Sequence, residues 1–345
     1  MSTIRILDEN ETVSLPDSLL PSIGFVGLDS WLSFTNQVYK FPIYRIVSQQ
    51  NNVVNGMLAL VQVKHPIFGN YLVTSPFGSY GGFAYADHTV RDGLLDKARA
   101  LANELGVEHV NVRFEAGEES PPNGWIQHSN YSTYLVDLSP NPEEILQSLS
   151  SNQRNHVRKS MKKGFMIRFG HLDLLDNAYE TLARSMHELG SPYHRKEYLQ
   201  IMAESLGRTL EFAVMYDSGG KPAGAGVFIT HGETATNLHA NILREFRSSY
   251  AGDFLYWSAI EHFHAKGSRL FDLGRSLNGS GNEVYKMKWN PHRQRLAYWY
   301  YLLKGGEIPE LNQKSPKFQL AIRVWKLLPA FVVRMLGPFL IRGIA

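Results

Sequence analysis

The chain has 345 residues, 43% hydrophobic, 12% aromatic and 19% charged, which suits two globular domains with real cores and excludes a disordered or fibrous chain. It has no cysteine, which removes disulfides, thiolate zinc sites and a cysteine nucleophile, and fits a reducing compartment. Lys and Arg (35) exceed Asp and Glu (32), but residues 311–345 hold six bases (Lys314, Lys317, Arg323, Lys326, Arg334, Arg342) and no acid, so the remaining 310 residues carry 29 basic against 32 acidic groups and are no general polyanion binder.

The first ten residues lack a basic start followed by an apolar run, so no secretory signal is expected. No run of about 20 apolar residues could span a bilayer as a simple helix. The expected location is cytoplasmic, or peripheral at the inner face of the membrane where the tail described below meets lipid rather than protein.

Residues 30–38 read as a helix, and 43–48, 53–64 and 71–75 as strands. A loop with three glycines, Ser75-Pro-Phe-Gly-Ser-Tyr-Gly-Gly-Phe83, leads into a helix from Asp87 to Leu105 closed by Gly106, followed by strands at 107–113 and 131–138. A polar stretch at 140–143 predicts a boundary. Beyond it, 151–164 is a basic helix, and helices at 173–189 and 195–206 are closed by Gly190 and Gly207. Strands follow at 210–216, 223–230 and 235–242, joined by hairpin turns at 217–221 and 231–233. Asp253 is expected to cap a helix running to Lys266, before a buried strand at 268–273 and a last one at 295–303. The second half thus runs two helices, a three-strand meander, a helix and further strands, and the first half follows the same order from its one helix onward. This is the element order of the GNAT acyltransferase fold. The expected fold class is α/β (α+β): two tandem GNAT-like domains, 1–141 and 142–308, each a mixed, mostly antiparallel sheet flanked by helices, with a basic amphipathic tail at 309–345.

Three stretches could carry chemistry. In the basic helix, Arg154, Arg158 and Lys162 recur at i, i+4 and i+8 with Lys159 and Lys163 beside them. Such guanidinium groups could hold a phosphate or carboxylate in fork geometry, or the face could simply be solvated. In Phe271-Asp-Leu-Gly-Arg-Ser, an apolar strand opens into a Gly/Ser/Asn loop where Arg275 and backbone amides could meet a ligand. Lys286 follows between Tyr285 and Trp289, and is expected to face an open groove where partial desolvation strengthens its charge. The alternative is an Asp272–Arg275 ion pair with Tyr285 and Trp289 as core. The Gly81–Gly82 loop could cradle phosphate or be a plain connection. His187-Glu-Leu-Gly-Ser191 lacks the second histidine of a zinc motif, and His262 and His264 point in different directions on a helix, so no metal site is expected. Neither a Gly-x-Ser-x-Gly elbow nor a Walker sequence occurs.

Four motifs in order, namely Ser75-Pro-Phe-Gly-Ser-Tyr-Gly-Gly, Arg154-x-x-x-Arg-Lys-x-x-Lys-Lys-Gly, Leu189-Gly-Ser-Pro-Tyr-His194 and Phe271-Asp-Leu-Gly-Arg-Ser…Tyr-Lys-x-x-Trp289, resemble the FemAB family over residues 20–305. The branch they resemble most is that associated with the exosortase/PEP-CTERM system. The resemblance implies transfer of an amino acid from aminoacyl-tRNA to an amine of a peptidoglycan precursor. It implies that Lys286 steadies negative charge and that Arg154 lies near the precursor's phosphates. The long helical hairpin through which some staphylococcal members would meet tRNA is absent from this sequence. The three stretches together give a candidate substrate-binding set of Arg154, Arg158, Arg275, Ser276, Tyr285, Trp289, Tyr80, Gly81 and Gly82, with no tightly bound cofactor expected.

The expected function is aminoacyl or acyl transfer to an amine of an anionic envelope or exopolysaccharide precursor, with aminoacyl-tRNA or acyl-CoA as donor. A GNAT enzyme using acyl-CoA grips pyrophosphate before its long helix; here the matching stretch, Arg247-Ser-Ser-Tyr-Ala-Gly-Asp253, has one glycine in poor register. A third class is a non-catalytic binding protein. In the tail, Arg323, Lys326 and Arg334 fall on one side of a helix at 100° per residue, with Trp325, Phe331, Met335 and Phe339 as anchor types and Pro329 and Pro338 as breaks. Residues 316–342 therefore read as an interfacial element for anionic lipid, or as a tail packed on its own domains or a partner.

Overall fold

A computed structural model describes residues 2–8, 11–115, 120–309 and 316–344, with the backbone only for Lys317. Lys314 and the start of the tail lie outside the described residues. In chain order the main elements are β1 (Thr3–Ile6), α1 (Leu20–Ile23), α2 (Asp29–Tyr39), β2 (Ile43–Gln50), β3 (Val53–His65), β4 (Gly69–Val73), β5 (Phe83–Tyr85), α3 (His88–Leu105), β6 (His109–Glu115), β7 (Ile126–His128) and β8 (Tyr131–Asp137). Next come α4 (Pro142–Ser148), α5 (Ser151–Met161), β9 (Met166–Gly170), α6 (Leu175–Leu189), α7 (Lys196–Leu206), β10 (Leu210–Tyr216), β11 (Pro222–His231) and β12 (Thr234–Ile242). The chain closes with α8 (Ala251–Ala265), β13 (Leu270–Asp272), β14 (Ser276–Leu277), α9 (Gly281–Met287), β15 (His292–Leu302), α10 (Pro316–Leu327) and α11 (Ala330–Ile341).

The chain forms two compact units. The first comprises Met1–Ser132, Gln294–Glu310 and Arg342–Ala345; the second comprises Thr133–Arg293 and Leu311–Ile341. In the first unit the strand order is β1-β2-β3-β4-β6-β15, antiparallel except for the parallel β4/β6 pair. In the second it is β9-β10-β11-β12-β13-β8, antiparallel except for the parallel β12/β13 pair. The two sheets share one plan, and each is completed by a strand from the other half of the sequence. Tyr298 on β15 pairs with Arg113 on β6, and Val136 on β8 pairs with Phe271 on β13. This division differs from a single cut at 141/142, which leaves β8 with the first half and β15 with the second.

Local chemistry explains the helices. Asp87 accepts a bond from the Val90 amide at the start of α3, and Gly106 ends it in the left-handed region (φ +59°). Between these caps Val90, Leu94, Leu95, Ala98, Leu101 and Ala102 line one face and pack on the first sheet with Trp125 and Trp299. α8 starts differently from expectation. Its cap is Tyr250 in the left-handed region, with no side-chain bond, while Asp253 lies in the first turn, where its carboxylate accepts from Gln153 Nε2 (2.8 Å). α8 packs through Trp257, Ile260 and Phe263 on Tyr134, Val136, Phe228 and Phe271 to form the second core. In the tail, Pro329 separates the two helices, but Pro338 sits inside α11 and does not break it. Among the described residues no helix is long and apolar enough to cross a membrane.

Candidate active site

The second sheet opens beside its parallel pair. β12 and β13 bond only from Thr234/Leu270 to Thr236/Asp272 and then part. A bulge in the β11/β12 register sets Phe228 opposite Asn237 and Val227 opposite His239, leaving Leu238 as the extra residue. The bulge turns neighbouring side chains to opposite faces of the sheet. Asn237 meets the α8 side, donating to Tyr256 Oη (3.0 Å) and the Leu273 carbonyl (3.4 Å). His239 faces the rings of Tyr193, His194 and Tyr198, where burial pushes its imidazole down to about 4.

The strand-end turn is held from below. Asp272 Oδ1 accepts from Thr133 Oγ1 and from the Gly274 amide (2.8 Å). Gly274 has φ +79°, and a Cβ there would lie 2.9 Å from the Asn237 carbonyl oxygen, so the turn admits only glycine without strain. Lys286, projecting from the last turn of α9, donates to the carbonyls of Gly274 (2.7 Å) and Arg275 (2.9 Å), and its ammonium lies 5.7 Å from the Tyr134 ring centre. An ammonium has three N–H donors. Two are spent on these carbonyls, and the third has no acceptor among the described residues. The side chain is 8% exposed, so this differs from the open groove expected for it. Burial lowers its pKa to about 8, with Asp272 opposing and Arg275 adding to the shift.

The remaining expected residues divide clearly. Arg275 is exposed, and its backbone rather than its guanidinium holds Lys286. Ser276 is buried and its hydroxyl has no hydrogen-bond partner among the described residues; the same holds for Asn237 Oδ1. Tyr285 lies edge-on to Tyr256, with its hydroxyl over Gly252 at the start of α8. Trp289 is 1% exposed and stacks on Tyr256, so it is core rather than a substrate contact. Arg154 is engaged locally: its Nη1 donates to the Gln147 and Leu149 carbonyls at the end of α4. Arg158 is exposed and makes no ion pair among the described residues.

The glycine loop of the first unit is also committed. The Gly81 amide donates to the Arg113 carbonyl (2.9 Å) and the Gly82 amide to the Ile23 carbonyl (2.8 Å), so neither is offered to a phosphate. Their φ values, +115° and +77°, explain why both are glycine. Tyr80 packs beside Tyr298 and Tyr300.

Sequence reasoning missed Asn237, Thr133 and Tyr134, and it missed the start of α8. There α5 runs alongside: His156 lies 4.7 Å from the Tyr250 ring and Lys159 Nζ lies 5.8 Å from it. The first-turn amides of α8 have no side-chain cap and carry the positive end of a 15-residue helix. The signal available was the polar run at 237, 239 and 241, which without the bulge reads as one face. A cavity of about 360 Å³ lies elsewhere in this unit, between α6 and α11, lined by residues including Tyr179, Arg184, His194 and Val333. It does not touch Lys286. Nor are the expected non-ligand histidines free: His262 Nε2 meets Glu211 Oε2 (3.0 Å), and His264 Nδ1 meets the Leu138 carbonyl (2.8 Å). Among the described residues there is no group of three or more candidate metal ligands.

Residues 151–287, the stretch from α5 through Lys286, match the family model described as "Acetyltransferase (GNAT) domain". FemX superposes with a TM-score of 0.66 at 14% identity, over 88% of this chain and 95% of that one. A tandem GNAT protein from the clavulanic acid biosynthesis pathway gives 0.56 at 13%, over 89% and 100%. This chain has a tandem GNAT fold. L-PGS from Bacillus licheniformis is similar too, with 0.52 at 13% over 82% and 86%. No curated protein sequence matches the chain. At these identities the structural likeness is one of fold.

Proposed function

We propose that this chain is a FemAB-like transferase, of the branch associated with the exosortase system, that moves an aminoacyl or acyl group onto an amine of a cell-envelope or exopolysaccharide precursor. The observation that carries the reading is the Lys286 ammonium, fixed by two carbonyls with one donor left. When an amine attacks an ester carbonyl, a C–N bond forms and the carbonyl oxygen gains negative charge. The C–O bond then breaks, and the alcohol leaves with the proton that the amine gives up. A donor already held in place stabilises that oxyanion without reorganising, an effect of about 3 kcal/mol for one such group. No covalent enzyme intermediate is required. Lys286 would act on the oxyanion, and exposed Arg158 and Arg275 would meet anionic groups of donor and acceptor.

A second reading, an acyl-CoA-dependent N-acyltransferase, is favoured by the start of α8. Uncapped amides beside His156 and Lys159 suit a pyrophosphate, and the GNAT family match covers this helix. Incubation with charged tRNA and, separately, acetyl-CoA, followed by mass analysis of amine-bearing envelope precursors, distinguishes the two. Product from charged tRNA supports the aminoacyl reading, and product from thioester alone supports the second. No product with either, in wild type and Lys286→Met alike, favours a binding protein.

A further inference from the structure

The tail helices have two faces, one packed on the protein and one exposed. The inner face grips α6 and the loop after it. His187 Nε2 meets the Trp325 carbonyl (3.2 Å), Trp325 and Val333 are buried, and Arg334 pairs with Glu180 through Nη1 and Nη2. Two glycines permit the approach. A Cβ at Gly190 would lie 2.6 Å from Ile322 Cγ2, and one at Gly337 would lie 2.9 Å from the Tyr193 carbonyl. The expected anchor Trp325 is therefore turned inward.

The outer face carries a separate apolar stripe. Leu320, Val324 and Leu327 recur at i, i+4 and i+7 on α10, and Phe331 and Met335 at i and i+4 on α11, with Leu336 beside them. All are exposed, Leu327 by 84%, Phe331 by 72% and Met335 by 68%. Large apolar side chains grouped on one face in water mark an interaction surface. The bases near it, Arg323 and Lys326, are exposed and make no ion pair among the described residues, and residues 311–345 contain no acid.

We propose that this outer face docks the protein on an anionic lipid bilayer. The occupant follows from charge and shape. The stripe carries no polar side chain, the charged residues of the tail are all basic, and negatively charged headgroups complement them. Each helix has 12 residues and so spans roughly 18 Å, short of the ~30 Å hydrocarbon layer, so it lies along the surface and does not cross. The helices are clamped to the second unit by their inner faces, which makes the anchor part of the folded body.

The test is co-sedimentation of the full chain with phosphatidylcholine vesicles, with and without phosphatidylglycerol. The variant is Leu327→Gln with Phe331→Gln and Met335→Gln, all outward, so α6 stays covered; deleting the tail would expose the surface beneath it. The control, Val53→Gln with Ile67→Gln, removes exposed apolar groups of the first unit. Wild type and control are expected to sediment with the anionic vesicles, less so in high salt, and the tail variant to partition roughly 100-fold more weakly with an unchanged melting curve. Equal partitioning of tail variant and wild type overturns the proposal, as does failure of wild type to bind anionic vesicles. A wild-type dimer that the tail substitutions dissociate, without vesicle binding, would identify a second copy as the occupant instead. The result is independent of whether the chain transfers an acyl group.

Discussion

The Lys286 ammonium lies 2.7 Å from the Gly274 carbonyl, while the Gly274 amide, on the other side of the same residue, donates to Asp272. The glycine is thus held between an ammonium and a carboxylate, and the lysine's remaining donor has a defined place. Lys286→Met removes that donor and is expected to lower kcat about 100- to 1000-fold with little change in KM, as for loss of one oxyanion donor. Lys286→Arg, whose planar fork cannot repeat the ammonium's geometry, is expected to restore little. Steady-state rates with the productive donor check this, and a normal rate for the methionine variant would remove Lys286 from the reaction.

The lowered pKa sets a direction for pH. If the ammonium is the working form, activity is level below about 8 and falls as pH rises through that value. Stability moves the other way. Between about 8 and the ordinary 10.5 the unfolded chain holds this proton and the folded one does not, so the site's contribution to stability rises with pH across that window. The melting temperature of wild type relative to Lys286→Met should therefore rise there. An activity profile that increases above pH 8 would make the neutral amine the working form.

Gly274→Ala tests the turn itself. A side chain at φ +79° with the Asn237 carbonyl 2.9 Å away is expected to cost about 1–3 kcal/mol and to move the carbonyl that Lys286 uses. Chemical denaturation should report the loss, and the activity of the fraction still folded should also fall. Full stability in the alanine variant would show that the turn relaxes freely.

The two arginines of α5 should behave differently. Arg154→Ala removes the donor to the Gln147 and Leu149 carbonyls and is expected to cost about 1 kcal/mol of stability. Arg158→Ala should leave stability within about 0.5 kcal/mol and raise KM for a phosphate-bearing substrate roughly tenfold. Melting curves and KM measured on the same pair give the comparison. An unchanged KM for Arg158→Ala would leave that side chain as a solvated base.

Gly190→Ala should loosen α10. The position combines φ +81° with a Cβ 2.6 Å from Ile322, and relief requires the helix to move. Faster trypsin cleavage after Arg323 and Lys326 than in wild type is the expected result. Equal protection would mean that α10 does not depend on this contact.

Helices and strands were legible because their signals are local. Leu210–Tyr216 was read to the residue, and α3 and α6 ended at Gly106 and Gly190 as their glycines indicated, since a left-handed cap depends on one residue's freedom. Repetition of the same element order was enough to read two GNAT-like halves. Short elements such as β1, β5 and α9 escaped, because three to seven residues carry too little periodicity. Lys286 could be singled out as a base among aromatics, but its partners could not, since both are backbone carbonyls that any residue possesses.

Composition and periodicity therefore sufficed for the longer elements, their repeated order, the absence of cysteine chemistry and the acid-free tail. They could not decide that β8 and β15 each complete the sheet built by the other half of the sequence, because an edge of N–H and C=O groups accepts any strand of suitable register. Nor could they tell a free guanidinium from one bonded to a nearby carbonyl, or the inner face of an apolar helix from its outer one. Those distinctions depend on which groups packing brings within about 3 Å, and neither composition nor periodicity specifies that.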